Sequence, residues 1–254
     1  MSDTLKTAYD AEAGNYDSFW SDTTSPFVRL ETELFASALG RVPGAVILDL
    51  AGGSGIKARH ALKEGAASVD IVDFSREMMA SGQEIEKRLG RDATRWFEAD
   101  ISKPLDHLPL HGQYDIVMAH WAFDHADNMA ILEGMLRNIS AYLKPGGRFL
   151  NVRAGNPRSP AMTNGDLGVV WKDFEEIPGG LRFRYSFNNH DSTIEATCME
   201  ATYSGSTEIY EKHRLVDVQI EPYENTQVVK ENPKLWETFL QDPSMAVVKA
   251  TKKS

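Results

Sequence analysis

The chain has 254 residues, of which 42% are hydrophobic and 25% charged, and these proportions are ordinary for a globular protein with a full core. Its net charge of −10 argues against a nucleic-acid partner, since phosphate binding relies on clustered Lys and Arg. The single cysteine, Cys198, excludes an internal disulfide and a cysteine-cluster metal site.

The first 42 residues predict two helices, at 4–20 and 27–39, separated by a break at Ser25-Pro26. The second helix places apolar residues on one face, namely Phe27, Leu30, Leu34, Phe35 and Leu39. The opening residues are acidic and polar, unlike a secretory signal, and no apolar run approaches the roughly 20 residues that span a bilayer. We therefore expect a cytoplasmic protein without a membrane partner.

From residue 43 onward the pattern alternates between strands and helices. Apolar strands are predicted at 45–50, 68–73, 94–100, 114–121 and 148–153, and helices at 56–65, 76–89 and 128–143. Gly65 is expected to end the first of these helices, and Ser75 to cap the start of the second. This alternation predicts an α/β fold with a mostly parallel sheet covered on both faces.

Beyond residue 153 this alternation stops. Two antiparallel strands are predicted at 179–187 and 193–204, joined through 188–192. They are followed by further elements, namely a helix at 206–213, a strand at 216–223, a helix at 233–240 and a last strand at 245–251. No linker isolates residues 154–205, so we interpret them as an elaboration of the same domain.

The segment VILDLAGGSG (46–55) ends a strand at an acid and opens a glycine-rich loop. GSGIKA (53–58) fits the dinucleotide pattern G-x-G-x-x-G/A, with Asp73 about 20 residues on, where a ribose-binding acid belongs. Sites for NAD and for S-adenosylmethionine share these features. Asp49 favours S-adenosylmethionine. The pyrophosphate of NAD would bring negative charge toward this carboxylate, whereas the sulfonium and the ammonium of S-adenosylmethionine would bring positive charge.

At these residues the chain resembles the class I S-adenosylmethionine-dependent methyltransferases. The resemblance rests on an ordered set of segments between residues 9 and 153: DLAGGSG (49–55), with Ala51 replacing the first glycine, DIVDFSREMM (70–79), EADI (98–101), YDIVMAHWAFDHA (114–126) and LKPGGRFL (143–150). YDAEAGNYD and SPFVRLE look most like the small-molecule branch, which includes quinone-biosynthesis and toxoflavin-type methyltransferases. The family fold is a Rossmann-like seven-stranded sheet of order 3-2-1-4-5-7-6, with only the seventh strand antiparallel.

The resemblance implies an enzyme that transfers a methyl group from S-adenosylmethionine, leaving S-adenosylhomocysteine, to an oxygen or nitrogen of a small aromatic or planar metabolite. We place it in specialised metabolism, with no metal and no nucleic-acid partner. We expect one domain, 1–254, divided into cap helices (1–42), a cofactor-binding core (43–153), a substrate-side elaboration (154–205) and the end of the core sheet (206–254). Two alternatives stay open: a cofactor-binding descendant without activity and an NAD-dependent oxidoreductase.

The resemblance also implies the residues that hold the cofactor. Ala51, Gly53 and Gly55 are expected to let the loop backbone approach the ligand. Asp73 is expected to bind the ribose hydroxyls, and Asp49 to face the cationic part of the ligand. The adenine is assigned to Phe74, Met78, Asp100 and the Ile101 main chain, and the methionyl part to Tyr16, Arg29 and His120. Core packing is the alternative for Phe74 and Met78, and a surface ion pair for Arg29.

The acceptor is expected beside Tyr16, Trp121, Asp124 and His125. His125 is the candidate general base and His120 a weaker one, since a lone histidine is more often structural. Six aromatic residues in the elaboration either line an apolar pocket or pack in the core: Trp171, Phe174, Phe183, Tyr185, Phe187 and Tyr203. The histidines show no metal-ligand spacing, so we expect no metal.

Overall fold

A computed structural model describes residues 3–188 and 193–254. Its helices are α1 (Asp3–Trp20), α2 (Pro26–Leu39), α3 (Ile56–Lys63), α4 (Arg76–Arg88), α5 (Met129–Tyr142), α6 (Glu200–Tyr203), α7 (Glu208–Lys212), α8 (Gln227–Glu231) and α9 (Pro233–Gln241). Its strands are β1 (Val46–Leu50), β2 (Ser68–Asp73), β3 (Thr94–Glu98), β4 (Tyr114–His120), β5 (Leu143–Ala154), β6 (Val169–Ile177), β7 (Gly180–Phe187), β8 (Thr193–Met199), β9 (Leu215–Ile220) and β10 (Met245–Lys252). Within the described ranges, no helix is both long enough and apolar enough to cross a membrane.

The seven-stranded sheet has the order β3-β2-β1-β4-β5-β10-β9. β10 pairs antiparallel with both β5 and β9, whereas the first five strands pair in parallel. Within this sheet β9 is the sixth strand along the chain and β10 the seventh. The predicted order 3-2-1-4-5-7-6, with only the seventh strand antiparallel, is therefore confirmed. In the register of the sheet Asp49 lies between Ile71 of β2 and Met118 of β4. The carboxyl ends of these three strands therefore form one edge, above which open α/β sheets bind ligands.

The elaboration is a three-stranded antiparallel sheet of order β6-β7-β8. The predicted antiparallel pair corresponds to β7 and β8, and its joining residues 189–192 lie outside the described residues. The prediction missed β6, because a bulge between Lys172 and Glu175 interrupts the apolar alternation of this strand. The second strand was also predicted too long, since β8 ends at Met199, where α6 begins.

The two N-terminal helices begin and pack as predicted from their residues. Ser25 caps α2, because its Oγ accepts a hydrogen bond from the Val28 amide, and Pro26 occupies the first turn. Leu30 and Leu34 on the apolar face of α2 are fully buried in the main core. The α8 helix was not predicted, and it packs against α2. The cap helices are thereby held over the carboxyl edge of the sheet.

Candidate active site

A cleft of about 730 Å³ opens above the carboxyl ends of β1, β2 and β4. Its lining residues come from the cap helices, the glycine loop and the ends of β2 and β4: Tyr9, Tyr16, Trp20, Glu31, Asp49, Ala51, Gly52, Gly53, Ser54, Ile56, Lys57, Asp73, Phe74, Met78, His120, Trp121, Ala122 and His125. Most of the residues predicted for the cofactor therefore meet in one cleft.

The loop after β1 packs its backbone directly onto the Asp49 carboxylate. A Cβ at Gly52 would lie 2.8 Å from Asp49 Cγ, so a larger residue does not fit there. Ala51 has a φ of 58°, a conformation unusual for a residue with a side chain. The strand end and the loop thus form one tightly packed cradle with its main chain facing the cleft.

Gly55 contributes to the cradle in a different way from the one expected. It caps α3 with a φ of 79°, and a Cβ there would lie 2.8 Å from the Trp96 ring. The position that a side chain would occupy therefore lies against the Trp96 ring, and Gly55 is not among the described residues that line the cleft. Backbone conformation and core packing therefore already require glycine at this position, and its approach to the cofactor stays a prediction.

Asp73 ends β2 and ties the glycine loop to the start of α4. Its Oδ2 accepts a hydrogen bond from the Gly53 amide and its Oδ1 one from the Ser75 amide, each at 2.8 Å. Burial raises the pKa of this carboxyl to about 6, against the effect of the amide donors. Each oxygen keeps a second acceptor site, which suits a ligand with two neighbouring hydroxyl groups.

Asp49 is buried and neither of its carboxylate oxygens has a hydrogen-bond partner among the described residues. Burial and the nearby Asp73 raise its pKa to about 8, while Lys57 acts in the opposite direction. A buried carboxylate without a partner is costly when ionised. The cleft therefore favours a ligand that brings positive charge to this point.

Lys57 is the only Lys or Arg among the described lining residues, and it is already paired. Its Nζ donates to the fully buried Glu31 carboxylate and lies 5.0 Å from the centre of the Phe35 ring. With Asp49, Asp73 and Glu31 opposed by one ammonium, the lining carries more acidic than basic groups. An anionic pyrophosphate would meet these carboxylates unfavourably.

The α1 helix lies across the cleft and is held by hydrogen bonds to the loops below. Ser75 Oγ donates to Asp10 Oδ1 at 2.6 Å, and Ser54 Oγ donates to Asp17 Oδ1. Met78 packs with Tyr9 in a small apolar cluster that Phe74 and Tyr16 also contact. Phe74 and Met78 thus both line the cleft and support the cap helix, and their contact with the adenine stays a prediction.

Sequence reasoning missed Tyr9 and Trp20, although a signal for them exists. Tyr9, Tyr16 and Trp20 are spaced by seven and four residues, which places them on one face of a helix. The structure turns this face toward the cleft. Applying helical spacing to the YDAEAGNYDSFW segment would have found all three.

Besides Gly55, three residues expected at the cofactor are not among the described residues that line the cleft. The guanidinium of Arg29 pairs with Glu231 at 2.8 Å on the surface. Glu31, two residues further along α2, faces the cleft instead, and residues two apart on a helix point in different directions. Asp100 accepts hydrogen bonds from the amide and hydroxyl of Ser102, and Ile101 is buried in the core.

His120 ends β4 and lines the cleft, as expected. Neither ring nitrogen has a hydrogen-bond partner among the described residues, and the ring lies edge-on to Phe35 at 4.7 Å. Burial, with a smaller effect of Lys57, lowers its pKa well below 6.5. His120 is therefore neutral at physiological pH and contributes no charge to the cleft.

A second cavity of about 420 Å³ adjoins the cleft. Tyr16, Trp20, Trp121 and His125 line both, and its other walls come from α2, the turn after β4, the end of β5 and the three-stranded sheet: Phe27, Asp124, Ala154, Val169, Trp171, Phe183, Tyr185, Phe187 and Ala196. Four of the six aromatic residues proposed for such a pocket are among its described lining residues, and Phe174 and Tyr203 are not. This aromatic cavity suits a planar apolar molecule.

Two acid–base groups border the aromatic cavity. The buried Asp124 carboxylate accepts from the Ala154 amide at 3.1 and 3.2 Å, and burial raises its pKa to about 7. His125 follows in the same short turn, and its Nε2 lies 2.8 Å from the Tyr9 hydroxyl. Burial lowers the pKa of His125 to about 4, so its imidazole is neutral at physiological pH and able to accept a proton.

Among residues 3–188 and 193–254, no three His, Cys, Asp or Glu side chains are grouped so as to hold a metal ion. The cleft and the aromatic cavity are instead built from carboxylates, neutral imidazoles and aromatic rings.

Comparison with known proteins identifies the fold and matches part of the chain to a family model. Residues 47–147 match the family model described as a methyltransferase domain. The ubiquinone/menaquinone biosynthesis C-methyltransferase UbiE of Caulobacter sp. (strain K31) is 31% identical over 171 residues, which are 63% of this chain and 64% of that protein. The chain thus matches a little under two thirds of the length of this curated relative.

Two solved structures share the fold over nearly the whole chain. An S-adenosylmethionine-dependent methyltransferase from Clostridium acetobutylicum has a TM-score of 0.63 at 15% identity, covering 97% of this chain and 99% of its own. The 1,6-didemethyltoxoflavin-N1-methyltransferase of Burkholderia thailandensis has a TM-score of 0.54 at 18% identity, covering 98% and 88%. Together with the sheet order, these matches show that the chain has the fold of these methyltransferases and that its residues 47–147 match a methyltransferase domain.

Proposed function

We propose that this protein transfers a methyl group from S-adenosylmethionine to a small aromatic or planar molecule. The observation that carries the proposal is the buried, unpartnered carboxylate of Asp49 at the base of the glycine loop. S-Adenosylmethionine carries an ammonium and a sulfonium, and either would give this carboxylate a partner. Asp73 lies on the same edge of the sheet with acceptor sites for the two ribose hydroxyls.

The residues of the cleft fit this cofactor better than they fit a dinucleotide. The lining has three carboxylates and one ammonium, which is already paired, so it suits a cationic ligand. No free Lys or Arg among the described lining residues would bind a pyrophosphate. Ala51 and Gly53 would offer their backbone to the ligand, Phe74 and Met78 apolar surface, and Tyr16 and His120 the neighbourhood of the sulfur. Structures of relatives described as complexes with S-adenosylhomocysteine support the same choice.

The aromatic cavity supports a planar acceptor. It opens into the cleft at Tyr16, Trp20, Trp121 and His125, so that a molecule inside it would lie next to the cofactor. Its walls are mainly aromatic rings, and Asp124 provides a buried polar group that could orient the acceptor. The quinone-biosynthesis and toxoflavin relatives are named for substrates of similar shape, which supports a small-molecule acceptor.

S-Adenosylmethionine, when bound, supplies a methyl group on a positively charged sulfur that leaves as a neutral thioether. The protein therefore has to align the acceptor and exclude water, and orientation of this kind can supply roughly 7–11 kcal/mol. Side chains of the cap helix α1 line the cleft, and the aromatic side chains of the cavity would exclude water around a bound acceptor. His125 would take the proton from an acceptor that carries one, which contributes about 10²–10⁴-fold.

We also propose that the whole chain acts as one domain in the cytoplasm, with residues 154–205 forming the acceptor side of the site. The buried thiol of Cys198 suits a reducing compartment. A role in specialised metabolism agrees with the small aromatic cavity, and the products of an acceptor screen would test it.

Calorimetric titration of the protein with S-adenosylmethionine, S-adenosylhomocysteine and NAD tests the cofactor. Binding of the two sulfur compounds without NAD supports the proposal, and NAD binding alone would support an oxidoreductase and refute it. A screen of flat phenols, enols and amines with S-adenosylmethionine then tests the transfer by mass spectrometry. Binding without any methylated product would favour a descendant that has lost activity.

A further inference from the structure

Three side chains from distant parts of the chain form a hydrogen-bonded series between the two cavities. The Tyr9 hydroxyl of α1 lies 2.8 Å from Nε2 of His125 and 3.5 Å from the hydroxyl of Tyr185 on β7. The Tyr9 and His125 rings meet edge to face at 5.4 Å. The series therefore connects the three-stranded sheet, the cap helix and the turn after β4.

The two ends of the series lie in different surroundings. Tyr185 lines the aromatic cavity, where the acceptor is proposed to bind. His125 borders this cavity, the cofactor cleft and a third, open groove with charged walls that include Lys172 and Asp173. In the part of the chain that the structure describes, His125 alone borders all three spaces. It is thus the point where the enclosed site meets solvent.

The hydrogens of the two hydroxyls and the imidazole can be arranged in either direction along the series. A tyrosine hydroxyl has one hydrogen to donate, and the contact of Tyr9 with His125 is shorter than its contact with Tyr185. Burial raises the pKa of both tyrosines well above 10, so both stay protonated. A path toward His125 requires Tyr9 to donate to Nε2 of His125, with the ring hydrogen on Nδ1, and Tyr185 to donate to Tyr9.

We propose that Tyr185, Tyr9 and His125 form a proton path from the hydroxyl of a phenol or enol acceptor to the open groove. The inference rests on the proposed function and narrows its acceptor to a compound that reacts through an ionisable O–H group. The 3.5 Å contact is the long step, and catalytic hydrogen bonds of this kind shorten when the substrate binds.

The electrons and protons balance along this path. The acceptor O–H bond breaks, its electron pair stays on oxygen and forms the new O–CH₃ bond, and the S–CH₃ pair returns to sulfur. The acceptor proton passes to Tyr185 oxygen, the Tyr185 proton to Tyr9 oxygen and the Tyr9 proton to Nε2 of His125. The resulting imidazolium loses its Nδ1 proton to water in the groove; return of the ring to the Nδ1–H tautomer and rotation of the two tyrosine hydroxyls then restore the starting state.

Imidazole ¹⁵N NMR of the protein saturated with S-adenosylhomocysteine tests the path without requiring turnover. We expect Nε2 of His125 to be an unprotonated hydrogen-bond acceptor and Nδ1 to carry the hydrogen. Tyr9→Phe should remove the hydrogen-bond shift of Nε2, whereas Tyr223→Phe, which deletes a distant hydroxyl bonded to the Met245 carbonyl, should leave it. A protonated Nε2 in the wild type would overturn the proposal.

Methyl-transfer rates with 2-naphthol and 2-aminonaphthalene test the path during reaction, since a neutral amine attacks without prior loss of a proton. Tyr9→Phe and Tyr185→Phe should lower kcat for the naphthol about 10–100-fold, at least tenfold more than for the amine, with less change in KM. Equal losses for both compounds would indicate a merely structural role and refute the path. If neither compound is methylated, the NMR result decides the path and the cofactor titration decides the proposed function.

Discussion

Asp73 accepts a hydrogen bond from the Gly53 amide at 2.8 Å, which ties the end of β2 to the loop that follows β1. The same carboxylate accepts from Ser75 at the start of α4. This one side chain therefore fixes the positions of the two loops relative to each other. The side chain also lines the cleft.

Replacing Asp73 should remove cofactor binding and loosen the cleft. Asp73→Ala should weaken S-adenosylhomocysteine binding at least 100-fold, because the hydroxyl acceptors and the loop geometry are lost together. It should also lower the free energy of unfolding by about 1–3 kcal/mol, since two amides lose their acceptor. Calorimetry and urea unfolding measure the two effects, with the exposed Asp92→Ala as the control. Unchanged affinity in Asp73→Ala would refute the assigned role.

The pH dependence of cofactor binding should report Asp49. Its pKa of about 8 means that the carboxyl binds a proton below that pH, and a cationic ligand favours the ionised form. Affinity for S-adenosylmethionine should therefore rise as the pH increases from 6 to 8, with release of a proton on binding. Titrations in buffers of different ionisation enthalpy measure this release. Asp49→Asn should bind more weakly and lose most of the pH dependence.

Asp49 should also destabilise the ligand-free protein at alkaline pH. The pKa of this carboxyl is higher in the folded state than the unfolded value near 3.9, so stability falls as the pH rises from about 4 to 8. Asp49→Asn removes this penalty and should have a higher Tm than the wild type at pH 8–9, but not at pH 4. The comparison uses thermal melts of both proteins without ligand. A lower Tm for the variant at pH 9 would contradict the assignment.

Filling the aromatic cavity should affect the acceptor and spare the cofactor. Ala196 is buried on β8 and lines this cavity but not the cofactor cleft. Ala196→Leu should raise KM for a bicyclic acceptor about tenfold or more while leaving the Kd of S-adenosylhomocysteine within threefold. Ala201→Leu on α6 makes the same change outside the cavity and serves as the control. If the two variants had equal KM values, the acceptor would not bind there.

Arg29→Ala should leave cofactor affinity within about twofold of the wild type, because the guanidinium pairs with Glu231 on the surface. Half-exposed ion pairs of this kind contribute less than about 1 kcal/mol to stability. Glu231→Ala is the matched control, since it breaks the same ion pair from the other side. A tenfold loss of affinity in Arg29→Ala alone would restore the role first expected for this residue.

Local patterns in the sequence were sufficient for the main sheet and for much of the cleft. Alternation of apolar strands with amphipathic helices gave the order of elements, and glycines and acids at strand ends marked Asp49, Gly53 and Asp73. These signals are local because strand period, loop conformation and helix caps depend on neighbouring residues. The bulge in β6 shows the limit, since it interrupts the alternation on which the prediction depends.

The sequence by itself determined the α/β class, the order of the main sheet, the resemblance to methyltransferases and the acids and glycines at the carboxyl edge of the sheet. Only the tertiary structure showed that Arg29 turns away, that Gly55 faces Trp96 and that Tyr9 meets His125, 116 positions along the chain. These contacts depend on how α1, α2 and the three-stranded sheet pack over the edge. Packing of separate elements is set by shape and buried area across the whole fold, which no short stretch of sequence contains.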